Sequence, residues 1–195
     1  PTSTFNRWAM NSYFLRGAYT YNDRYMATVT ARMDGSSKFG ANNKYAFFPS
    51  AGLAWNVSQE DFLKDSNLIS NLKLHTSYGL TGNSEIDPYK SLGKIKSETL
   101  LLNGTRAPYS YMETMPNPDL KWEKTKSYNL GIDFSFFQSW LSGTLEIYKK
   151  VGEDQVIQKT LAPSTGANYV AINDGDVNNS GWELSVNVNP IRGKD

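Results

Sequence analysis

The chain has 195 residues, with 20 Lys and Arg against 19 Asp and Glu, a net charge of +1, and no cysteine. That balance leaves no basic field for nucleic acid and no acidic field for cations. The missing thiols leave neither a disulfide framework nor a thiolate metal site.

No apolar run approaches the ~18–20 residues of a transmembrane helix. A strand-built membrane wall stays open, because each crossing needs only about 10 residues of alternating character. Aromatics make up 13%, with 12 Tyr and 5 Trp, which is high for a soluble domain and expected of barrels with aromatic girdles. Pro1-Thr2-Ser3 does not open a signal peptide and reads as the middle of a longer protein.

Strand signals of period 2 recur along the chain. Residues 12–22 place Tyr13, Leu15, Tyr19 and Tyr21 opposite Arg16, Thr20 and Asn22, and Asn22-Asp23-Arg24 is a short turn. Residues 25–34 place Tyr25, Ala27, Val29, Ala31 and Met33 opposite Met26, Thr28, Thr30, Arg32 and Asp34. Residues 47–57 set Ala51, Leu53, Trp55 and Val57 against Ser50, Gly52, Ala54 and Asn56. A short helical turn over 58–63 with Ser58 as N-cap comes next. Residues 71–81 set Leu72, Leu74, Tyr78 and Leu80 against Lys73, His75 and Ser77. Residues 127–137 set Tyr128, Leu130, Ile132 and Phe134 against Asn129, Gly131 and Asp133. Residues 141–150 set Leu141, Leu145 and Ile147 against Ser142, Thr144 and Glu146, and 181–189 set Trp182, Leu184 and Val186 against Glu183, Ser185 and Asn187.

These seven strands predict an all-β, antiparallel protein. The connections alternate: 22–24, 58–70 and 137–140 are short or partly helical, whereas 35–46, 82–118 and 152–168 are long and polar. Short turns at one end and long loops at the other fit a transmembrane β-barrel. So do Tyr21, Tyr25, Trp55 and Trp182, read as aromatics at the ends of the apolar faces. A soluble or cell-surface β-sandwich that binds glycans is the alternative, since its strands show the same alternation.

Candidate functional residues are few. Asp34-Gly35 and Gly40 shape a turn or touch a ligand, and the turn is preferred. Pro49 is placed at a strand start, where its missing N–H costs least. Asn117-Pro118-Asp119 is read as a turn leading into a strand. His75, the only histidine, is read as a hydrogen-bonded wall residue. No nucleophile elbow or phosphate-cradling glycine loop is present, so neither an enzyme nor a cofactor is expected. Tyr109 and Tyr111 in the long 82–118 connection are candidates to stack on a sugar, to meet a partner, or to pack within the loop. That connection also holds Pro88, Pro108, Pro116 and Pro118, and is expected to be ordered by neighbouring loops or a lid.

Several ordered blocks carry a resemblance. Asp34-Gly35-Ser36-Ser37-Lys38-Phe39-Gly40, Phe47-Phe48-Pro49-Ser50 with Leu53-Ala54-Trp55, and Leu72-Lys73-Leu74 with Ser77-Tyr78-Gly79 and Thr81-Gly82-Asn83 come first. Asn117 to Glu123 and Ser180-Gly181-Trp182-Glu183-Leu184 follow. In this order they resemble SusC/RagA-like TonB-dependent outer-membrane transporters, although Trp182 stands where the family commonly has a small aliphatic residue. The resemblance implies a barrel of about 22 strands, of which residues 1–195 would supply roughly a third. It implies a plug domain and a TonB box, neither of which is visible in this chain. It implies import of a bulky nutrient, an oligosaccharide or oligopeptide, across the bacterial outer membrane. The implied partners are TonB, the lipid bilayer and a SusD-like surface lipoprotein. On this reading Tyr13, Leu15, Tyr19, Val29, Leu53, Leu72, Leu74, Leu130, Ile132, Leu145 and Val186 face lipid, and Arg32, Asp34, Ser50, Lys73, Asp133 and Glu146 face the lumen.

Overall fold

The computed structural model describes residues 5–189. The strands are β1 (Met10–Tyr21), β2 (Tyr25–Ser36), β3 (Tyr45–Asn56), β4 (Ile69–Asn83), β5 (Lys94–Leu102), β6 (Thr105–Met115), β7 (Glu123–Phe136), β8 (Leu141–Glu153), β9 (Val156–Thr160), β10 (Ala167–Asn173) and β11 (Val177–Val188). They form two sheets. A seven-stranded sheet runs β1-β2-β3-β4-β7-β8-β11, and a four-stranded sheet runs β5-β6-β10-β9.

The larger sheet is antiparallel at every step. Its strands are the seven that the period-2 signal marks. The smaller sheet is inserted between β4 and β7 and between β8 and β11, so the large sheet remains an up-and-down meander. Among the described residues β1 pairs only with β2, and β11 only with β8. Among these residues both outer edges therefore leave backbone groups free to pair with further strands.

Residue alternation and register agree across the sheet. Tyr19, Ala27 and Leu53 lie side by side, and Thr76, Leu130, Ile147 and Trp182 continue the same row. The apolar face is exposed: Leu15 is 74% accessible, Leu53 60% and Trp182 69%. That exposure means that, among the described residues, no second sheet covers this row. A sandwich buries this face, so the sandwich alternative falls.

The two ends differ as the alternation of loop lengths requires. At one end β1–β2 turns through Asn22, Asp23 and Arg24, with positive φ values of 50° and 55° at Asn22 and Asp23 and the Arg24 N–H donating to the Tyr21 carbonyl at 3.0 Å. At the other end the connections interlock.

Several expectations need correction. The residues 57–59 form a 3₁₀ turn capped by Asn56 without a side-chain bond, and Ser58 lies inside it. Asp34-Gly35 is not a turn, since β2 continues through Ser36. Gly35 is instead required by contact: a Cβ there would strike the ring of Tyr45. Gly40 likewise leaves room for the backbone of Pro118 and Leu120. Pro49 is the fifth residue of β3, one residue before the β3–β4 ladder begins at Ser50 and Gly79. Trp182 lies within β11, opposite Ile147, rather than at a strand end. The connections 82–118 and 152–168 are not plain loops, because they carry β5, β6 and β9.

Candidate functional site: polar wall and interlocked rim

The polar face of the large sheet carries paired charges. Arg32 and Asp34, two residues apart on β2, share that face. The Arg32 Nε–H donates to both Asp34 oxygens at 2.9 and 2.6 Å, and Nη2 donates to Ser12 Oγ at 3.3 Å. Asp34 is buried, and the charge-assisted bond from the single Arg32 Nε–H, shared between its two oxygens, holds its carboxylate.

Farther along the wall, Lys73 lies opposite Asp133 and Glu146 opposite Glu183. The Thr144 hydroxyl donates to Asp133 Oδ1 at 2.9 Å. His75 reaches across two strands, with Nδ1 3.5 Å from Asp133 and Nε2 3.6 Å from Glu146. Gly131, directly opposite His75, makes this possible, because a Cβ there would occupy the imidazole's place. The wall is thus lined with charge and hydroxyls, and can hold polar groups by hydrogen bonds and charge.

The rim is built where distant motifs meet. Trp122 is 2% accessible, stacks on Phe39 at 4.6 Å and meets Phe48 edge-on at 5.6 Å. Leu120, Ile86 and Ala171 complete this core. The Trp122 Nε1–H donates to the Lys44 carbonyl at 3.1 Å, and the Gly40 N–H donates to the Leu120 carbonyl at 2.8 Å. Asn117 donates to the Ala171 carbonyl, and Asn173 bridges the carbonyls of Lys121 and Asp154. Four separate connections are locked together this way, and their buried backbone groups are satisfied. The Asp34–Gly40 and Asn117–Glu123 blocks are therefore one structural unit.

Tyr109 and Tyr111 lie on β6, not in a loop. Their rings stand parallel at 5.7 Å, and both hydroxyls donate to Glu98, at 2.9 and 3.3 Å. Hydrogen bonding from Lys96, then from Tyr109, holds the Glu98 carboxyl below the usual glutamate range. The carboxylate pushes the Tyr109 phenol up. The Asn103-Gly104 turn between β5 and β6, with both φ positive, is the sequence signal that marks this hairpin.

At the opposite end Glu60 gathers three groups. It accepts from Tyr25 OH at 2.6 Å, from Trp55 Nε1 at 2.9 Å and from Arg24 at 3.0 Å. The bond from Tyr25 first, then that from Trp55, holds its carboxyl below the usual range. A depressed folded pKa adds stability above the unfolded value near 4.3, lost as pH falls through the folded value. We expect the melting temperature of the full-length protein to exceed that of Glu60→Gln at neutral pH. The gap should close as the medium is acidified below the ordinary glutamate range. A gap that persists at low pH would contradict this role.

An open antiparallel wall with one exposed apolar face, one charged face, tight turns at one end and locked loops at the other defines a β-barrel segment. The chain belongs to the TonB-dependent receptor-like β-barrel family, whose sequence profile matches residues 1–192. It is 39% identical over its whole length to TonB-dependent receptor P3 of Formosa agariphila, covering 20% of that protein. It is 35% identical to TonB-dependent receptor SusC of Bacteroides thetaiotaomicron, again over 100% of this chain and 20% of the relative. Among solved structures, the RagAB peptide transporter superposes with a TM-score of 0.80 at 32% identity, over 92% of this chain and 20% of that one. The chain therefore spans about a fifth of the length of the curated relatives it matches.

Proposed function

We propose that this chain is part of the wall and extracellular rim of a transporter that imports a bulky nutrient, an oligosaccharide or oligopeptide, across a bacterial outer membrane. The observation that carries the reading is the sheet with two open edges and an exposed apolar face, in a chain of this family. Such a wall is stable in lipid only as part of a closed barrel, which leaves no edge unpaired.

On this reading residues 1–195 are one part of a single barrel domain, whose plug and TonB box lie outside them. The row through Leu53, Leu130 and Trp182 meets acyl chains. Arg32, Asp34, Lys73, Asp133 and Glu146 face the lumen, where charge meets water or the plug. The wall performs no chemistry. TonB supplies energy through the rest of the protein, and a SusD-like surface lipoprotein covers the loop end. The Tyr109–Tyr111 pair on β6 faces that lid or the solute.

The test is uptake. In cells lacking the gene for the full-length protein, import of fluorescent oligosaccharides or oligopeptides should fall to background for one of the two classes and return on complementation. Unchanged uptake of both classes would overturn the proposal.

A further inference from the structure

Between the segment ahead of β1 and the rim loops lies a cleft of about 440 Å³. Arg7, Trp8, Lys38, Lys44, Tyr89 and Leu92 are among the residues that line it. Three of its lining residues are cationic and none is acidic, although charges over the whole chain nearly cancel. Among the described residues none of these three cations is in an ion pair.

The aromatic walls are held in place. Lys38 Nζ lies 4.8 Å from the Trp8 ring centre and donates to the Ser84 carbonyl at 3.3 Å. Tyr89 accepts from the Arg7 backbone N–H at 3.0 Å. Its φ of 67° is a left-handed conformation that tyrosine rarely adopts. Such backbone persists where surrounding contacts fix it, often at ligand clamps.

The cleft adjoins the polar face of the sheet, which is the solute side on the transporter reading. Phe39, one of its walls, packs through Trp122 on Phe48, which lies opposite Arg32 on the polar face. This location disfavours a lipid headgroup. Cations around a cleft with no acidic residue in its lining focus an attractive field on anions. Three of them spread over one cleft match a repeating charge better than the single carboxylate of a peptide end.

We propose that this cleft binds an acidic oligosaccharide, its sugar carboxylates meeting Arg7, Lys38 and Lys44 while Trp8 and Tyr89 offer ring faces to the sugar C–H groups. The proposal rests on the transporter reading and names its substrate class.

The experiment uses the full-length protein in detergent micelles and calorimetric titration. The probes are a galacturonic acid hexamer, its fully methyl-esterified form, and a hexapeptide as free acid and as amide. The acid hexamer should bind about tenfold or more tighter than the ester, an advantage that shrinks as salt rises. Lys38→Gln with Lys44→Gln should abolish the advantage, while resistance of the folded barrel to unfolding in SDS remains that of the parent. Equal binding of acid and ester overturns the proposal, as does an advantage that survives the double variant. Discrimination of peptide acid from amide through Lys38 and Lys44, without discrimination of the glycans, also overturns it and assigns a peptide carboxylate instead. Binding to purified protein does not depend on import, so equal binding alongside normal uptake sinks only this inference. Lost discrimination and lost uptake are separate readings.

Discussion

Trp122→Ala in the full-length protein is expected to open the interlocked rim without dismantling the sheet. Trp122 is almost fully buried, and its ring is the common partner of Phe39 and Phe48. Removing a buried Trp typically costs about 3–5 kcal/mol. The loss also leaves the Lys44 carbonyl without its indole donor. Most of this cost falls on contacts between connections that are far apart in sequence. The connections 37–44, 84–93 and 154–176 should therefore become accessible to protease from outside the cell, while β2, β3 and β4 stay protected. Phe62→Ala, at a side chain that is 72% accessible, is the control and should leave cleavage unchanged. If Trp122→Ala resists protease as the parent does, the rim is held by something other than this core.

The second large effect concerns the two faces. Leu53→Arg and Leu130→Arg place a cation on the exposed apolar row, where each side chain is more than half accessible. Near the bilayer midplane an Arg on the lipid face costs ~2–4 kcal/mol. Ser50→Arg and Asn129→Arg place the same cation on the polar face and should cost little by comparison. The measurement is the folded fraction in outer-membrane preparations, followed by urea titration in vesicles. The apolar-face pair should lower both, and the polar-face pair should assemble near the parent level. Equal losses from both pairs would mean that neither face meets hydrocarbon.

The strands of the large sheet were legible because alternation of period 2 survives translation into structure residue by residue. In β4 and β7, Leu72, Leu74, Leu130 and Ile132 share a face because the ladder keeps register for more than ten residues. The smaller sheet was not legible in the same way. Pro108 and Pro116 lie in or beside β6, and β9 is five residues long. The parallel pairing of β6 with β10 joins residues 55 positions apart, and local pattern does not report it. The Asn103-Gly104 turn was the available signal.

The glycines show the same limit at the rim. Gly35 and Gly40 read as turn formers because local rules know only backbone freedom. Their reasons are the ring of Tyr45 and the backbone of Pro118, which exist only once the fold has formed. Of the wall charges, Arg32 and Asp34 could be paired from spacing alone. The approach of His75 to Asp133 and Glu146 needed the register of three strands.

The central claim is that alternate residues of this sheet meet lipid and water. The chain has no cysteine, so single cysteines can be introduced into the full-length protein freed of any other reactive thiol. Spin labels at Val29, Leu53, Leu130 and Val186 should collide with dissolved oxygen and not with a water-soluble nickel chelate. Labels at Thr28, Ser50, Asn129 and Ser185 should show the reverse. Equal access of the nickel chelate to both sets, in protein reconstituted in vesicles, would contradict the account.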